Sequence, residues 1–284
     1  MIGIRIQGRL GNQLFQYAFI LVAAKKLNTS FYIDQYIEPS IVSKYFKNTA
    51  GSRFTPLFKI KGYKNIFSFY LRRSYYRYLA LWGKFSIIEC DYTETEIALR
   101  NNAIYHGYFQ SELFFNRFEE LIRDKFALKK VFINQFKFQF GSLYQNNNIV
   151  TIHIRRADYQ NLGHLNLGGD DLSLPLEYYK KAISKFDGQN IHFIFISDDQ
   201  DFVKQNFKEI SNKTISEDNE IMDFQHLLNA DGCIISNSTF SWWGAWLNKK
   251  PGKVIYAPRY FMGWRIKKET PPEIYPKEWV QIDF

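Results

Sequence analysis

Residues 233–247 read Cys-Ile-Ile-Ser-Asn-Ser-Thr-Phe-Ser-Trp-Trp-Gly-Ala-Trp-Leu. The apolar run that opens this stretch predicts a buried strand, and the Trp-rich run that follows predicts a helix. The first turn of a helix leaves backbone N–H groups unpaired, and neighbouring hydroxyl groups complete a site for phosphate. We therefore interpret Ser238, Thr239 and Phe240 as a candidate phosphate-binding junction. The alternative is an ordinary cap, by Asn237 or Ser238, on a core helix.

A second strand–helix junction lies at the start of the chain. Apolar residues alternate with others over 2–6, which predicts a strand, and an apolar face at helical spacing begins at Leu14. The stretch between them, Gly8-Arg9-Leu10-Gly11-Asn12-Gln13, is predicted to be a loop whose glycines permit a tight turn and the close approach of a ligand. It is not G-x-G-x-x-G, so it does not support a dinucleotide site. The alternative is a glycine-bearing turn that binds nothing.

A third junction follows the apolar run 149–152 and reads His153-Ile154-Arg155-Arg156-Ala157-Asp158-Tyr159. Side chains alternate along a strand, so His153 and Arg155 share one face at its carboxyl end. Ligands of open α/β sheets bind at that end, and Arg holds phosphate through two parallel hydrogen bonds. The alternative is a structural Arg–Asp salt bridge at the edge of a strand.

The second half of the chain alternates predicted strands and helices, which indicates a parallel sheet with helices on both faces. The first 140 residues begin with one strand–helix unit and are otherwise predicted to be largely irregular. The polar run 145–148 is suited to a linker. Further strands are predicted near 31–33, 103–105, 149–154, 191–196, 232–236 and 253–257, and helices near 175–186, 200–207, 220–230 and 239–248.

Together these motifs resemble those of the α-1,2-fucosyltransferases of glycosyltransferase family 11. The matching stretches are 8–18, 153–159 and 236–244, with a weaker one at Ile196-Ser197-Asp198-Asp199. They occur in the family's order and span nearly the whole chain. The resemblance implies an α/β fold of the glycosyltransferase B type, with two Rossmann-like domains facing a cleft.

On that architecture, residues 1–145 are expected to form an N-terminal acceptor-side domain with a basic aromatic insertion. Residues 146–260 are expected to form a C-terminal domain that binds GDP-fucose. The tail, residues 261–284, is expected to pack back across both domains.

The resemblance also implies a reaction. The expected activity is inverting transfer of L-fucose from GDP-β-L-fucose to the 2-hydroxyl of a terminal β-galactoside, in surface polysaccharide or lipopolysaccharide synthesis. One alternative keeps the fold and changes the donor sugar or the linkage. Another is a noncatalytic glycan- or nucleotide-binding protein, against which the intact Arg155, Asn12 and Thr239 argue.

Roles at the site follow from the family motifs. Arg155 is expected to contact the leaving diphosphate, and Arg156 is expected to assist it or to anchor the loop through Asp158. The acceptor hydroxyl must lose a proton, and Asp158 is the first candidate for the general base. The other candidates lie on the polar loop 161–173, and they are Asp170, Asp171 and His164.

Ser238 and Thr239, with the N–H groups of Thr239 and Phe240, are expected to hold the β-phosphate. His153 is expected to meet the ribose or the diphosphate. Phe240 either covers the fucose or nucleotide or is a core aromatic residue.

Guanine recognition requires a carboxylate that accepts from its N1–H and amino groups. Asp223 precedes Thr239 by an offset similar to that of the guanine-binding Asp in related protein fucosyltransferases; the alternative is a solvated helix residue. From the first half, Gly11, Asn12 and Gln13 are expected to line the cleft.

We expect no metal and no cofactor. Asp199-Gln200-Asp201 matches a D-x-D metal pattern, but carboxylates that follow a strand and open a helix serve well as caps. Arginines are expected to supply the positive charge that a metal would bring, and glycosyltransferase B enzymes generally act without one.

The net charge of +9 is concentrated in one segment. Residues 39–88 contain no Asp or Glu, and ten basic residues lie there among thirteen aromatic ones. This favours peripheral contact with an anionic membrane surface or a lipid-linked galactose-containing acceptor; the alternative is a basic helical subdomain without such a partner. No nucleic-acid motif accompanies the segment. Because no signal peptide or apolar span of about 20 residues is evident, we expect a bacterial, cytoplasmic protein.

Overall fold

A computed structural model of the chain describes residues 1–35, 37–47, 49, 74 and 86–284. The chain divides into two compact units, Met1–Ala127 and Leu128–Phe284. The basic aromatic segment 39–88 lies largely outside the described residues.

The first unit contains a four-stranded parallel sheet in the order β2-β1-β4-β3. Helix α1 follows β1 and is buried along most of its length, with Phe19 stacked 3.9 Å from Phe109 and edge-on to Tyr105. The elements are β1 (Ile2–Arg5), α1 (Leu10–Lys26), β2 (Phe31–Asp34), α2 (Val42–Tyr45), β3 (Ser86–Glu89), β4 (Ala103–His106) and α3 (Glu119–Lys125), with 3-10 helices at Glu112–Phe114 and Asn116–Phe118.

The second unit contains a six-stranded parallel sheet in the order β10-β9-β8-β5-β6-β7. Its elements are α4 (Lys130–Asn146), β5 (Asn148–Ile154), α5 (Leu176–Ile183), β6 (Ile191–Ser197), α6 (Gln200–Asn206), β7 (Lys213–Ile215), α7 (Glu220–Asn229), β8 (Gly232–Ile234), α8 (Thr239–Leu247), β9 (Val254–Pro258) and β10 (Val280–Ile282). Shorter 3-10 helices span Asp158–Asn161, Gly163–Leu165, Ser184–Phe186 and Trp264–Ile266.

The strand order reverses direction between β5 and β8. From β5 the chain proceeds outward to β6 and β7, and then returns to place β8 on the other side of β5. This is the strand order of the dinucleotide-binding Rossmann fold, whose ligands bind beyond the carboxyl ends of the strands at the reversal. The functional site is therefore expected where β5 and β8 end.

Burial explains why these strands are central. Six of the seven residues of β5 are buried, as expected for a parallel strand covered on both faces. Helix α8 buries three tryptophans, and the indole N–H of Trp242 donates to the carbonyl of Ile274 in the tail. The tail belongs to the second unit, where β10 pairs with β9. The buried Cys233 acts as a small apolar residue.

The α/β class and the two parallel-sheet units are confirmed, but several predicted boundaries were wrong. The division falls at 127/128 rather than 145/146, because α4 belongs to the second unit. The predicted linker 145–148 is the end of α4 followed directly by β5. Within the first 140 residues, predicted to be largely irregular, residues 119–125 form α3 and residues from 130 onward form α4. No helix among the described residues combines the length and apolar character needed to cross a membrane.

Candidate functional site

The reversal point of the second sheet brings two predicted junctions together. β5 and β8 pair in parallel up to Ile152 and Ile234, so the residues that follow each strand leave the sheet side by side. After β5 the chain continues to Arg155, and after β8 it continues to Thr239, the first residue of α8. Two of the three predicted binding stretches therefore share one edge of one sheet.

His153 joins the two junctions from inside the protein. It is buried, its Nδ1 lies 2.8 Å from Ser236 Oγ, and its ring lies 5.5 Å from the Phe240 ring. Burial, with a smaller contribution from the charge of Arg155, lowers the pKa of His153 to about 3. In this structure His153 is therefore a neutral imidazole that links the ends of the two strands, and its predicted contact with the ribose or the diphosphate stays a prediction.

Arg155 is held by carboxylates on two sides. One terminal nitrogen, Nη2, lies 2.8 Å from the Asp158 carboxylate, and Nη1 lies 3.2 Å from Asp198. Burial by itself lowers the pKa of Arg155. The hydrogen bond to Asp158 and the charges of Asp198 and Asp158 outweigh burial and raise the pKa above its ordinary value, so the guanidinium stays charged. The contacts resemble those that a diphosphate would make with the same group. The structural salt bridge considered for this motif is present, and it orients the arginine.

Arg156 bonds carboxylates other than the predicted Asp158, and its assistance to the diphosphate stays a prediction. Its Nε donates to Asp199 at 3.0 Å, its backbone N–H donates to Asp198 at 2.9 Å, and its guanidinium stacks 4.0 Å from the Phe202 ring centroid. The side chain of Arg156 is thus paired with Asp199, whereas Asp158 pairs with Arg155.

The first aspartate of the D-x-D pattern, Asp199, is used by the protein itself. Asp199 caps α6 by accepting from the N–H of Phe202 at 2.9 Å while it pairs with Arg156. The capping role predicted for Asp199 is confirmed. Within the part of the chain that the structure describes, no cluster of three or more His, Cys, Asp or Glu side chains could hold a metal ion.

The start of α8 has the geometry of a capped helix. Ser238 is the N-cap, with its hydroxyl accepting from the N–H of Phe240 at 3.4 Å. Thr239 and Phe240 are partly exposed and form its first turn. Phe240 packs between His153 and Phe224, whose ring lies 5.4 Å away, so its ring is partly a packing element.

Asp223 lies in the first turn of α7, the helix that supplies Phe224 to this aromatic contact. Its carboxyl accepts from Ser216 Oγ at 2.5 Å. Burial raises the pKa of Asp223 to about 7, the Ser216 hydrogen bond lowers it, and Asp218 and Glu220 raise it. The carboxyl is partly shielded from solvent, and no cationic side chain among the described residues forms an ion pair with it, which sets it apart from a solvated helix residue.

The candidate bases are placed differently from one another. Asp158 is about half exposed, with 53% of its side chain accessible, although it pairs with Arg155. Asp171 is occupied by Ser173, whose N–H and hydroxyl both donate to it. The loop is fastened to the tail turn, where Arg265 Nε and Trp264 Nε1 donate to the carbonyls of Asp171 and Leu172. Asp158 is the candidate with solvent access next to the arginine.

The three predicted residues of the first unit lie in a helix and not in a loop. Gly11, Asn12 and Gln13 occupy the first turn of α1, which begins at Leu10. Gln13 is buried and holds the chain around residues 39–41: it donates to Pro39 at 3.1 Å and accepts from Ile41 N–H at 2.9 Å. Because both the amide nitrogen and the amide oxygen of Gln13 are already hydrogen-bonded within the protein, a contact between Gln13 and the sugar-nucleotide donor is disfavoured.

Asn12 and Gly8 set the shape of this turn. Asn12 is partly exposed and accepts from the Gln110 amide at 2.9 Å. Gly8 has φ of +77°, and a Cβ there would lie 2.3 Å from Asn12 Nδ2. The glycine is therefore required both by backbone conformation and by close packing. The binding roles of Gly11 and Asn12 stay predictions.

Sequence reasoning missed three residues of this region. Asp198 bonds both arginines of the motif, Ser216 holds the Asp223 carboxyl, and the Tyr159 hydroxyl donates to the carbonyl of Asn237 at 3.1 Å. Tyr159 was the final residue of a quoted motif, which was a usable signal. Ser216 follows a three-residue strand with no distinctive pattern, and only tertiary contacts identify it.

Comparison with known proteins gives the family. The model of Glycosyl transferase family 11 matches residues 1–283. The chain belongs to this family. The resemblance drawn from the three motifs is thereby confirmed, and glycosyltransferase activity with it.

Two Escherichia coli proteins are similar to this family 11 chain over nearly its whole length. The O-antigen biosynthesis glycosyltransferase WbnK is 25% identical, with 93% of this chain and 96% of that protein covered. An alpha-1,2-colitosyltransferase is 27% identical, with 98% of each covered.

Solved structures share the fold at low identity. The fucosyltransferase NodZ from Bradyrhizobium superposes with a TM-score of 0.54 at 12% identity, covering 86% of this chain and 92% of NodZ. POFUT1 in complex with GDP gives 0.52 at 12% identity, covering 90% and 97%. The glycosyltransferase B type of fold predicted for this chain agrees with these neighbours.

Proposed function

We propose that this glycosyltransferase transfers L-fucose from GDP-β-L-fucose to the 2-hydroxyl of a terminal β-galactoside, with inversion at the sugar carbon. The acceptor is a galactose-containing glycan of a surface polysaccharide or lipopolysaccharide. The proposal is supported by family membership, by the α-1,2 linkage in the name of one relative and by the O-antigen role in the name of another.

One observation carries the proposal. The Arg155 guanidinium and the N-terminus of α8 emerge from neighbouring parallel strands at the reversal point of the sheet. A guanidinium, which can donate two parallel hydrogen bonds, and a helix N-terminus are complementary to a diphosphate. The carboxyl group of Asp223, on the helix packed against α8, has the acceptor chemistry that guanine N1–H and its amino group require.

The reaction breaks the bond between the fucose anomeric carbon and the β-phosphate oxygen and forms a bond from that carbon to the galactose 2-oxygen. Negative charge grows on the leaving diphosphate, so Arg155 and the donors at Ser238 and Thr239 stabilise the transition state more than the bound donor. The proton of the acceptor hydroxyl passes to the general base, for which Asp158 is our candidate.

Colitose is the second candidate for the transferred sugar, because a relative of 27% identity is named as a colitosyltransferase. A donor panel separates the two. Purified protein is incubated with a β-galactoside acceptor and, in turn, GDP-fucose, GDP-colitose, GDP-mannose or UDP-galactose, and the product is analysed by NMR. Transfer from GDP-fucose with an α-1,2 linkage supports the proposal. Preference for GDP-colitose would replace fucose by colitose in the proposed reaction. If no sugar is transferred from any of them while GDP still binds, a binding protein is favoured.

Asp158→Asn tests the proposed base. The substitution removes a negative charge 2.8 Å from Arg155, so GDP affinity is expected to stay equal or increase. Transfer to the acceptor is expected to fall about a hundredfold, in the range for loss of a general base. Equal losses of GDP affinity and transfer would instead assign Asp158 to holding Arg155 in place.

The membrane contact proposed for residues 39–88 is tested by sedimentation with vesicles. Binding to vesicles that contain anionic lipid, lost at high salt and absent with neutral lipid, is expected for an electrostatic contact. Equal recovery in the supernatant with both kinds of vesicle would remove this part of the proposal.

A further inference from the structure

Beyond the last paired residues of β5 and β8, the sheet no longer aligns the two junctions. The pairing ends at Ile152 and Ile234, and the contact between His153 and Ser236 is the next tie. Arg155 comes two residues later on a chain that turns into the 3-10 helix Asp158–Asn161. Its position relative to α8 therefore depends on contacts outside the sheet.

A closed set of hydrogen bonds supplies those contacts. The Tyr159 hydroxyl donates to the Asn237 carbonyl at 3.1 Å, and the Asn237 side-chain amide donates to the Leu172 carbonyl at 2.8 Å. The Leu172 N–H donates in turn to the Tyr159 carbonyl at 2.8 Å. Three segments of the chain are thus linked in a ring, and Trp264 donates to the same Leu172 carbonyl at 3.2 Å.

Tyr159 also contacts the arginine directly. The Arg155 guanidinium carbon lies 5.8 Å from the centroid of the Tyr159 ring, within the range of a cation–π contact. One side chain therefore touches the candidate diphosphate cation with its ring and the residue before the α8 cap with its hydroxyl. We propose that Tyr159 is a positioning residue that keeps Arg155 aligned with the N-terminus of α8.

This inference rests on the proposed function, and it makes a kinetic statement. A diphosphate gains negative charge as the sugar leaves, so prealigned donors stabilise the transition state more than the ground state. An arginine that samples more positions still binds the donor, but it aligns less often with the leaving group. Loss of the hydroxyl is therefore expected to lower kcat more than it raises the KM for donor.

The test compares two Tyr→Phe variants. Tyr159→Phe deletes the donor to Asn237 and keeps the ring. Tyr178→Phe is the matched control: its buried hydroxyl donates to the carbonyl of Ile235 at 2.6 Å, two residues away from Asn237, and none of its described contacts is with Arg155. Both variants lose one hydroxyl that donates to the segment 235–237; the more deeply buried Tyr178 hydroxyl also lies 3.2 Å from the Tyr256 carbonyl, so the control loses at least as much structural hydrogen bonding.

With GDP-fucose as donor, Tyr159→Phe is expected to lower kcat about three- to tenfold, the fold-change that corresponds to one net hydrogen bond. The KM for donor is expected to change less than twofold, and Tyr178→Phe is expected to keep wild-type kcat. In the Arg155→Lys background, the decrease in kcat caused by Tyr159→Phe is expected to be smaller, because Tyr159 acts through an arginine that this background lacks. Equal kcat losses in the two Phe variants, or full additivity with Arg155→Lys, would overturn the proposal.

Hydrogen–deuterium exchange gives a readout that needs no donor. Peptides covering 155–172 are expected to exchange faster in Tyr159→Phe than in wild type or Tyr178→Phe, since the ring of hydrogen bonds is open. Unchanged exchange there would refute the tether even if the enzyme proves to use another sugar. Faster exchange in Tyr159→Phe, together with a wild-type protein that shows no transfer activity, would instead support the tether and reject the proposed reaction.

Discussion

Replacing Asp223 by Asn is expected to stabilise the protein above neutral pH while weakening its use of the donor. The carboxyl is buried at the start of α7 with Ser216 as its hydrogen-bond donor, and burial raises its pKa to about 7 from an ordinary value of 3.8. A carboxyl whose pKa is higher in the folded state binds its proton more tightly there. Its contribution to stability is therefore complete below about 3.8 and is lost as the pH rises through about 7.

The size of the effect follows from the same values. The span from 3.8 to about 7, at about 1.4 kcal/mol for each pH unit, sets an upper limit of roughly 4 kcal/mol. Asp223 is only partly buried, and solvent screening reduces the expected change to about 2 kcal/mol between pH 4 and pH 8. Asparagine keeps the acceptor for Ser216 without the charge, so its stability should not show this loss.

Denaturant unfolding at a series of pH values measures the difference. Tryptophan fluorescence reports on the second unit, which contains five of the six tryptophans. Asp187→Asn, at an exposed position after a 3-10 helix, is the control and is expected to follow wild type. The reasoning about burial is refuted if Asp223→Asn is less stable than wild type at pH 8, or if the stability of Asp223→Asn relative to wild type does not increase between pH 4 and pH 8.

The same substitution separates stability from binding. Only the ionised carboxylate can accept from both guanine donors, so wild-type GDP affinity is expected to rise from pH 6 to pH 8. Asp223→Asn is expected to bind GDP at least tenfold more weakly and without that pH dependence. Calorimetric titration with GDP at both pH values measures it, and unchanged affinity would remove Asp223 from the site without affecting the prediction about stability.

Three further predictions follow from the same structure. Arg155→Lys replaces two aligned hydrogen-bond donors with one and is expected to lower kcat for sugar transfer about a hundredfold or more. Arg259→Lys, at a surface pair with Asp283, is the control and should keep wild-type kcat. Similar rates in both variants would contradict the role of Arg155. In thermal unfolding, Gly244→Ala is expected to destabilise the protein by about 2 kcal/mol, because the added Cβ would lie 2.6 Å from Leu227 Cβ. Gly141→Ala, which has open space around it in α4, should stabilise the protein by up to about 1 kcal/mol through helix propensity. Transfer activity is expected to be unchanged after prolonged treatment with EDTA, and loss of activity that Mn²⁺ restores would reject the metal-independent mechanism.

The sequence was sufficient for the elements of the second unit that carry strong local patterns. Strands β5, β6, β8 and β9 are short apolar runs between turn residues, and their predicted bounds agree with the structure within two residues. The Arg155 and Ser238 junctions were found because polar residues directly after a buried strand are unusual and have a known place in parallel sheets. Helix α4 was missed because most of its apolar residues are aromatic and are interspersed with amide side chains, which weakens its helical pattern.

Tertiary structure decided what the side chains do. From the sequence alone, Arg156 was expected to assist Arg155 or to anchor the loop through Asp158, Gln13 was expected to line the cleft, and Asp223 could equally have been a solvated helix residue. Only the three-dimensional arrangement placed Arg156 on Asp199, engaged both ends of the Gln13 amide and buried Asp223 beside Ser216. The physical reason is range: a strand or helix follows from neighbours a few residues apart, whereas a charge partner or a pKa depends on residues that only folding brings together.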